Sequence, residues 1–485
     1  MIDIAKGIAQ EGRTASDGSG PDRAPAPLWA AAICLFAGVV TPAVVSLAGQ
    51  AGGFDWLWAF EPLPSGKIPT ALALSSAVAL LLLILSRVSQ RWDFQNDTRA
   101  RWCKRAGFVL VVGAVGFLCV RFRVYASSTD SGLWTELADN PFIMGSEPLG
   151  RWSHYLAYRL VTLLQLDRWI DITPDPRGLA VVLASAGAGM FTIGAMLVLA
   201  PKALPHSSRW SSVVFLFVTP TAILYTGFME VTPWCYAFTS AYLLAGLRYL
   251  ALDLRRPPWI ESLILMFAVW AHGSACFVTG AHAFLCLHWF LRLPDGARSP
   301  WRPPRLLRLG LVCLLPFSAL GATLLYAYIF GTGMPRFAWY GNVTGGADQI
   351  LFVAFSREAQ RSAAHFVFGS PRYWISHLNL LLFACPLLFA VPFAIAQSLR
   401  VRQRETLFLG AGLGGLLLLA LIFNPAVVGG VRWDFDIMAG FAVPATLLVA
   451  LWWDARFSDR QREALHLAAA AASFSFLLML RIRFP

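Results

Sequence analysis

Charge is what this chain has least of. Only 14% of its 485 residues are Asp, Glu, Lys or Arg, while 57% are hydrophobic, and the mean hydropathy is +0.60. Soluble domains carry about a quarter charged residues, so a soluble globular protein is excluded. The first 26 residues lack the basic start and apolar core of a cleaved signal peptide. They read as a disordered cytoplasmic tail. The eight cysteines (34, 103, 119, 235, 276, 286, 313 and 385) show no CxxC spacing, the pattern expected of zinc and redox motifs. Seven lie in or beside apolar runs and read as small buried hydrophobes. No internal repeat is evident.

What the chain has is long apolar runs, most of roughly the 17–25 residues that cross a bilayer core. Thirteen candidate spans fall at 27–49, 69–87, 106–123, 179–200, 211–227, 234–251, 259–271, 275–292, 309–330, 374–396, 405–423, 437–452 and 464–481. The fold class is therefore all-α, a polytopic membrane protein. A net charge of +12 does not point to nucleic acid, because the basic residues sit in short loops where they set topology.

Those loops orient the spans. The Arg-rich stretches 86–105, 254–258, 292–308, 399–404 and 454–462 all fall on one side under this count, which the positive-inside rule makes cytoplasmic. The other face carries 124–178, 228–233, 331–373 and 424–436, and in a bacterium it is periplasmic. This places the chain in a bacterial inner membrane with a cytoplasmic N-terminus.

Two places break the pattern. Residues 259–292 hold two short apolar runs split by Trp270-Ala271-His272-Gly273-Ser274. They read as partial helices meeting inside the membrane, which protein or a watery cavity must cover. In RWSHYLAYRLVTLLQ (151–165), Arg151, His154, Tyr158, Thr162 and Gln165 share one helix face, with Leu156, Leu160, Leu163 and Leu164 opposite. That periodicity predicts an amphipathic interfacial helix.

Ionisable residues gather on the outer face in five stretches. These hold Asp130, Glu136 and Asp139; Glu147 and Arg151; Glu230; Arg357, Arg361 and His365 at helical spacing; and Arg432, Asp434 and Asp436. Glu136 and Asp139 read as solvated loop residues, and Arg357 and Arg361 suit lipid headgroups. His272, in the helix break, has a packing role as its plain alternative. Asp130, Glu230, Asp434 and Asp436 lie close to hydrocarbon, where a carboxylate is costly and usually faces a cavity.

Carboxylates and arginines on the outer face of a membrane core suit glycosyl transfer from a polyprenyl-phosphate sugar. The leaving phosphate is already a good anion and needs no general acid. One carboxylate base takes the acceptor's proton, and cations, arginine or a metal, stabilise the departing phosphate. Attack opposite the phosphate inverts the anomeric centre. An apolar groove holds the lipid tail.

With these residues in view, the chain resembles the GT-C superfamily of integral-membrane glycosyltransferases, which use lipid-phosphate-linked sugars. The shared features are Asp130 in the first long periplasmic loop, interfacial helices after it, and two partial helices midway. Within the superfamily it is most similar to a group of bacterial membrane proteins with three recurring elements. One is an EPL segment, here Glu147-Pro148-Leu149. Another is a Y-x-x-x-x-E-x-x-P turn, here Tyr225, Glu230 and Pro233. The third is a late DWDL segment, here Asp434-Phe435-Asp436-Ile437, with Phe435 in place of the usual Trp. The stretch SHLNLLLFACP (376–386) resembles a histidine-asparagine signature opening a late span.

The resemblance covers 106–452, GT-C-like with periplasmic loops 124–178 and 331–373. It leaves a tail (1–26), an N-terminal two-helix addition with its basic loop (27–105), and a C-terminal loop and last helix (453–485). It implies Asp130 as base, with Glu147, Glu230, Asp434 and Asp436 shaping the sugar or metal site. Arg432 and Arg151 face phosphate in this scheme, and His272 and Arg357 complete the substrate-binding set. Many relatives carry an acidic pair where this chain has one Asp130, so a divalent metal (magnesium or manganese) stays open. The expected partners are a polyprenyl-phosphate-linked sugar, membrane lipids, and a glycan, lipid or protein acceptor.

Two rivals remain. A multi-pass transporter or lipid flippase also shows broken helices and embedded charges, but carriers place their sites near the midplane between repeats. A scaffold that kept the fold and lost the activity is the other.

Overall fold

The computed structural model describes residues 98–121, 135–140, 147–170, 175–204, 232–292, 303–330, 371–422 and 439–458, with 462 and 465. The expected spans at 27–49, 69–87, 211–227 and, apart from Leu465, 464–481 lie outside the described residues. The helices are α1 (Thr98–Arg121), α2 (Pro148–Leu164), α3 (Pro176–Ala203), α4 (Thr232–Ala251), α5 (Trp259–Ala271), α6 (Thr279–Leu291), α7 (Pro303–Phe330), α8 (Pro371–Ala384), α9 (Val391–Ser398), α10 (Gln403–Ile422) and α11 (Ala442–Arg456). Short 3-10 turns join several of them, and no strand occurs among the described residues. By length and composition α3, Gly273–Leu291, α7 and α10 are long and apolar enough to cross a membrane. The chain is a helical integral membrane protein.

Helix α4 is the centre of the bundle. It packs against α3, α5 and α10, and nearly all its residues are buried, with Tyr242, Leu243 and Leu247 fully so. A helix apolar all round must be covered on every side, and the small residues Ala237, Ala241, Ala245 and Gly246 let its neighbours approach.

The Arg-rich loops converge on one end. Asp253 pairs with Arg292 and, at 3.2 Å, with Arg404. Arg256 holds Glu261 through two bonds of 2.9 and 2.8 Å, and Arg305 donates to the carbonyls of Trp289 and Arg292. Arg402 pairs with the buried Asp454 at 3.0 Å, and Arg462 donates to the Asp454 carbonyl. Four of the five basic stretches are thus tied to one another, as a common face requires. Side chains of the fifth, 86–105, lie outside the described set.

From this end α5 climbs 13 residues, about 20 Å at 1.5 Å per residue, and stops at Ala271. A 3-10 turn, Gly273–Val278, follows and leads into α6. The break falls where the sequence places it. The descending arm differs from expectation, since its 3-10 lead makes a continuous 19-residue segment long enough to cross. The tip is wedged against α10: a Cβ on Gly415 would stand 1.9 Å from the Phe277 carbonyl oxygen, so only glycine allows this approach.

Two further breaks have local causes. Pro316 lies inside α7 and has no N–H to give the Val312 carbonyl one turn back. His282 Nε2 lies 3.1 Å from that carbonyl oxygen, with Tyr242 Oη 3.4 Å from Nδ1, so the imidazole replaces the missing helix donor. The span expected at 374–396 is interrupted at Cys385, because the residue before Pro386 is pushed out of the helical region. The histidine of SHLNLLLFACP caps α10: His377 Nε2 lies 2.8 Å from the Ala420 oxygen, and Tyr373 donates to the Leu421 oxygen. Both acceptors belong to the last turn of α10, whose carbonyls have no helical partner.

Candidate functional site

Helix α2 turns the N-terminal part of its polar face inward, while Thr162 and Gln165 at its far end are exposed. Arg151 and His154 are buried, while Leu156, Leu160, Leu163 and Leu164 are exposed, the orientation that suits lipid outside and protein within. Pro148 occupies the first helical position, where its missing N–H goes unneeded. Glu147 precedes it at the cap and is only 3% exposed. Beyond Leu164 the chain turns through Gln165 at φ 49°.

The Glu147 carboxylate meets the helix break. His272 Nδ1 accepts the Ser274 backbone N–H at 3.1 Å, and the Ser274 hydroxyl lies 2.7 Å from the same nitrogen. An Nδ1 used as acceptor leaves the proton of a neutral imidazole on Nε2. That nitrogen faces Glu147 Oε1 at 3.1 Å, with both side chains buried. Cys235 Sγ lies 3.8 Å from the Ser274 hydroxyl, tying the tip to α4. Trp152 and Trp270, with ring centroids 6.3 Å apart, flank the contact. Glu147 Oε2 makes no hydrogen bond among the described residues.

One turn along α2, Arg151 is fully buried. Its Nη2 donates to the carbonyls of Leu137 and, at 2.7 Å, Asn140. Nε and Nη1 have no acceptor among the described residues. Burial pulls its pKa down from the usual guanidinium range to about 10, against the opposing pull of the Asp139 carboxylate. The group therefore stays a cation at neutral pH. A buried carboxylate and a buried guanidinium, each with unused hydrogen-bonding capacity, stand one helical turn apart at the end of the bundle away from the Arg-rich loops.

Residues 135–140 form a small knob over Arg151. Ala138 is buried against Val181 and Val182 of α3. Asp139, expected as a solvated loop residue, instead pairs with Arg177 at 2.5 Å; Glu136 is exposed as expected. Asp175 caps α3 by accepting the Arg177 N–H at 2.9 Å. The sequence carried one unread signal here. A cation in the first turn of a helix opposes the macrodipole, which marks Arg177 as a residue held there for another contact.

Of the candidate residues, Glu147, Arg151 and His272 are described: Glu147 and His272 meet at the helix break, and Arg151 lies one turn further along α2 against the 137–140 backbone. Asp130, Glu230, Arg357, Arg432, Asp434 and Asp436 lie outside the described residues. With Nδ1 taken by Ser274 and Nε2 carrying the proton towards Glu147, His272 has no free lone pair for a metal ion. Among the described residues no group of three His, Cys, Asp or Glu converges to complete such a site.

No protein-family profile matches the chain, and no curated protein matches it. Among solved structures it is similar to the crystal structure of ArnT from Cupriavidus metallidurans bound to undecaprenyl phosphate. Identity is 13%, coverage is 77% of this chain and 76% of that one, and the TM-score is 0.47.

Proposed function

We propose that this chain is a membrane glycosyltransferase that moves a sugar from a polyprenyl-phosphate donor to an acceptor at the periplasmic face of a bacterial inner membrane. The observation that supports it most is the burial of Glu147, Arg151 and His272 at the end of the bundle opposite the Arg-rich loops. A guanidinium sealed from water with two nitrogens unmatched suits an anionic ligand, since an unpaired buried donor is costly. The glutamate one turn away keeps Oε2 uncommitted, which suits a sugar hydroxyl.

In this reading Asp130 is the base. It takes the proton of the acceptor hydroxyl while that oxygen bonds to the anomeric carbon. The bond from that carbon to the donor phosphate breaks, and its electron pair leaves with the polyprenyl phosphate. Arg151 and Arg432 neutralise the charge gathering there, and Glu147, Glu230, Asp434 and Asp436 orient the sugar. The configuration inverts, as single displacement requires. The leucine face of α2 lies in the lipid that carries the tail.

The test supplies purified protein with radiolabelled polyprenyl-phosphate sugars and candidate acceptors, comparing wild type with Asp130→Asn. Transfer by wild type and its loss in the variant are expected. Undiminished transfer by the variant removes Asp130 from the base role. Absence of transfer with any donor, alongside flipping of the lipid in vesicles, favours the transporter.

A further inference from the structure

We infer that Asp139 and Arg177 are positioning residues for Arg151, an inference that rests on the reading of Arg151 as the phosphate-facing cation. The knob at 135–140 stands between the two arginines. From inside, Arg151 Nη2 is fixed by the carbonyls of Leu137 and Asn140. From outside, Arg177 holds the Asp139 carboxylate at 2.5 Å, and Asp139 lies between those two carbonyl-bearing residues in the chain. Ala138 seals the same turn against Val181 and Val182, and the Leu137 carbonyl also accepts the Asn140 N–H at 3.0 Å.

The order of contacts is therefore Arg177, Asp139, the 137–140 backbone, then Arg151. The last guanidinium keeps Nε and Nη1 without an acceptor among the described residues. Arg177 is itself anchored, because its backbone N–H is held by the cap residue Asp175. The Asp139–Arg177 pair is 30% and 42% exposed, too open to carry the fold. Its geometry instead sets where the two carbonyls stand and so where the buried cation points. A carboxylate near Arg151 also favours its charged form, which acts in the same direction.

The probe is farnesyl phosphate, with affinity measured by calorimetry on the full chain in detergent, for wild type, Asp139→Asn, Arg177→Gln, the double variant and Arg177→Lys. Each neutral single variant is expected to bind roughly threefold to fivefold more weakly, the upper range for a half-exposed ion pair. The double variant should be no weaker than either single, since all break one connection, and Arg177→Lys should recover most of the affinity. A direct contact between Arg177 and the phosphate predicts the opposite for Asp139→Asn, which frees that cation. Binding by Asp139→Asn at wild-type affinity or tighter therefore overturns the inference, as does an additive loss in the double variant. Failure of wild type to bind the probe overturns instead the assignment of Arg151 to phosphate, so the two failures are distinct. Unaltered helical content and melting temperature show that the variants are folded.

Discussion

Replacing His272 separates two roles that its ring nitrogens play. Nδ1 caps the 3-10 turn by accepting the Ser274 N–H, and Nε2 faces Glu147. Asparagine at 272 can still accept from Ser274, as a good cap residue, but it falls short of Glu147. Alanine does neither. Loss of the cap is worth about 1 kcal/mol. Leaving the buried Glu147 oxygen without its partner is worth about 1–3 kcal/mol. His272→Ala should then lose about 2–4 kcal/mol and His272→Asn about 1 kcal/mol less, the difference being the cap alone. Unfolding followed by tryptophan fluorescence in detergent measures both. Donor binding should fall in both variants by roughly tenfold or more, since Glu147 is no longer held in place. Equal stability of the two variants refutes the assignment of Nδ1 as the capping acceptor. Wild-type donor affinity in His272→Asn refutes a functional role for the Glu147 contact.

Three other outcomes follow. Burial disfavours a charge at position 151 and pulls the arginine down to about 10; a lysine there, which starts from a lower value, is pushed in the same direction. Arg151→Lys should therefore bind farnesyl phosphate at pH 6 and lose it as the pH rises to 9, with wild type losing no Arg151 charge over that range; parallel profiles contradict this. His282→Leu leaves the Val312 carbonyl unpaired and should destabilise by about 1–3 kcal/mol, whereas the same change in a Pro316→Ala background, where the helix N–H returns, should be milder in thermal unfolding. Gly415→Ala should displace the 3-10 turn carrying Ser274 and lower both stability and donor binding, with an overpacking penalty of about 1–3 kcal/mol, while Gly410→Ala, which meets nothing within 4 Å, should leave both unchanged.

Local periodicity was the most legible part of the fold. The run 259–271 coincides with α5, and the break at His272 and the amphipathic character of α2 follow from residue spacing alone. The interruption at Cys385 was readable too, from Pro386, but the long apolar context concealed it. What spacing cannot show is pairing across the chain. Arg177 and Asp139 are 38 positions apart, and Arg402 and Asp454 are 52. Each reads as an isolated loop charge until the helices are packed. His282 is the same case: a histidine in an apolar run gives no sign that a proline on another helix has left it a carbonyl to satisfy. For the site, Glu147, Arg151 and His272 follow from their place on the outer face or in the helix break and from the family resemblance, neither of which carries information about which would meet.

Convergence of the remaining acidic residues on the end of the bundle that holds Glu147 and Arg151 is tested most directly by distances. Nitroxide pairs at positions 130 and 154, 434 and 154, and 130 and 434, placed in a cysteine-free chain in lipid nanodiscs, can be measured by pulsed electron resonance. All three separations should fall well below the ~30 Å thickness of the hydrocarbon core. Separations at or beyond that thickness would put the residues on different faces and contradict a single site.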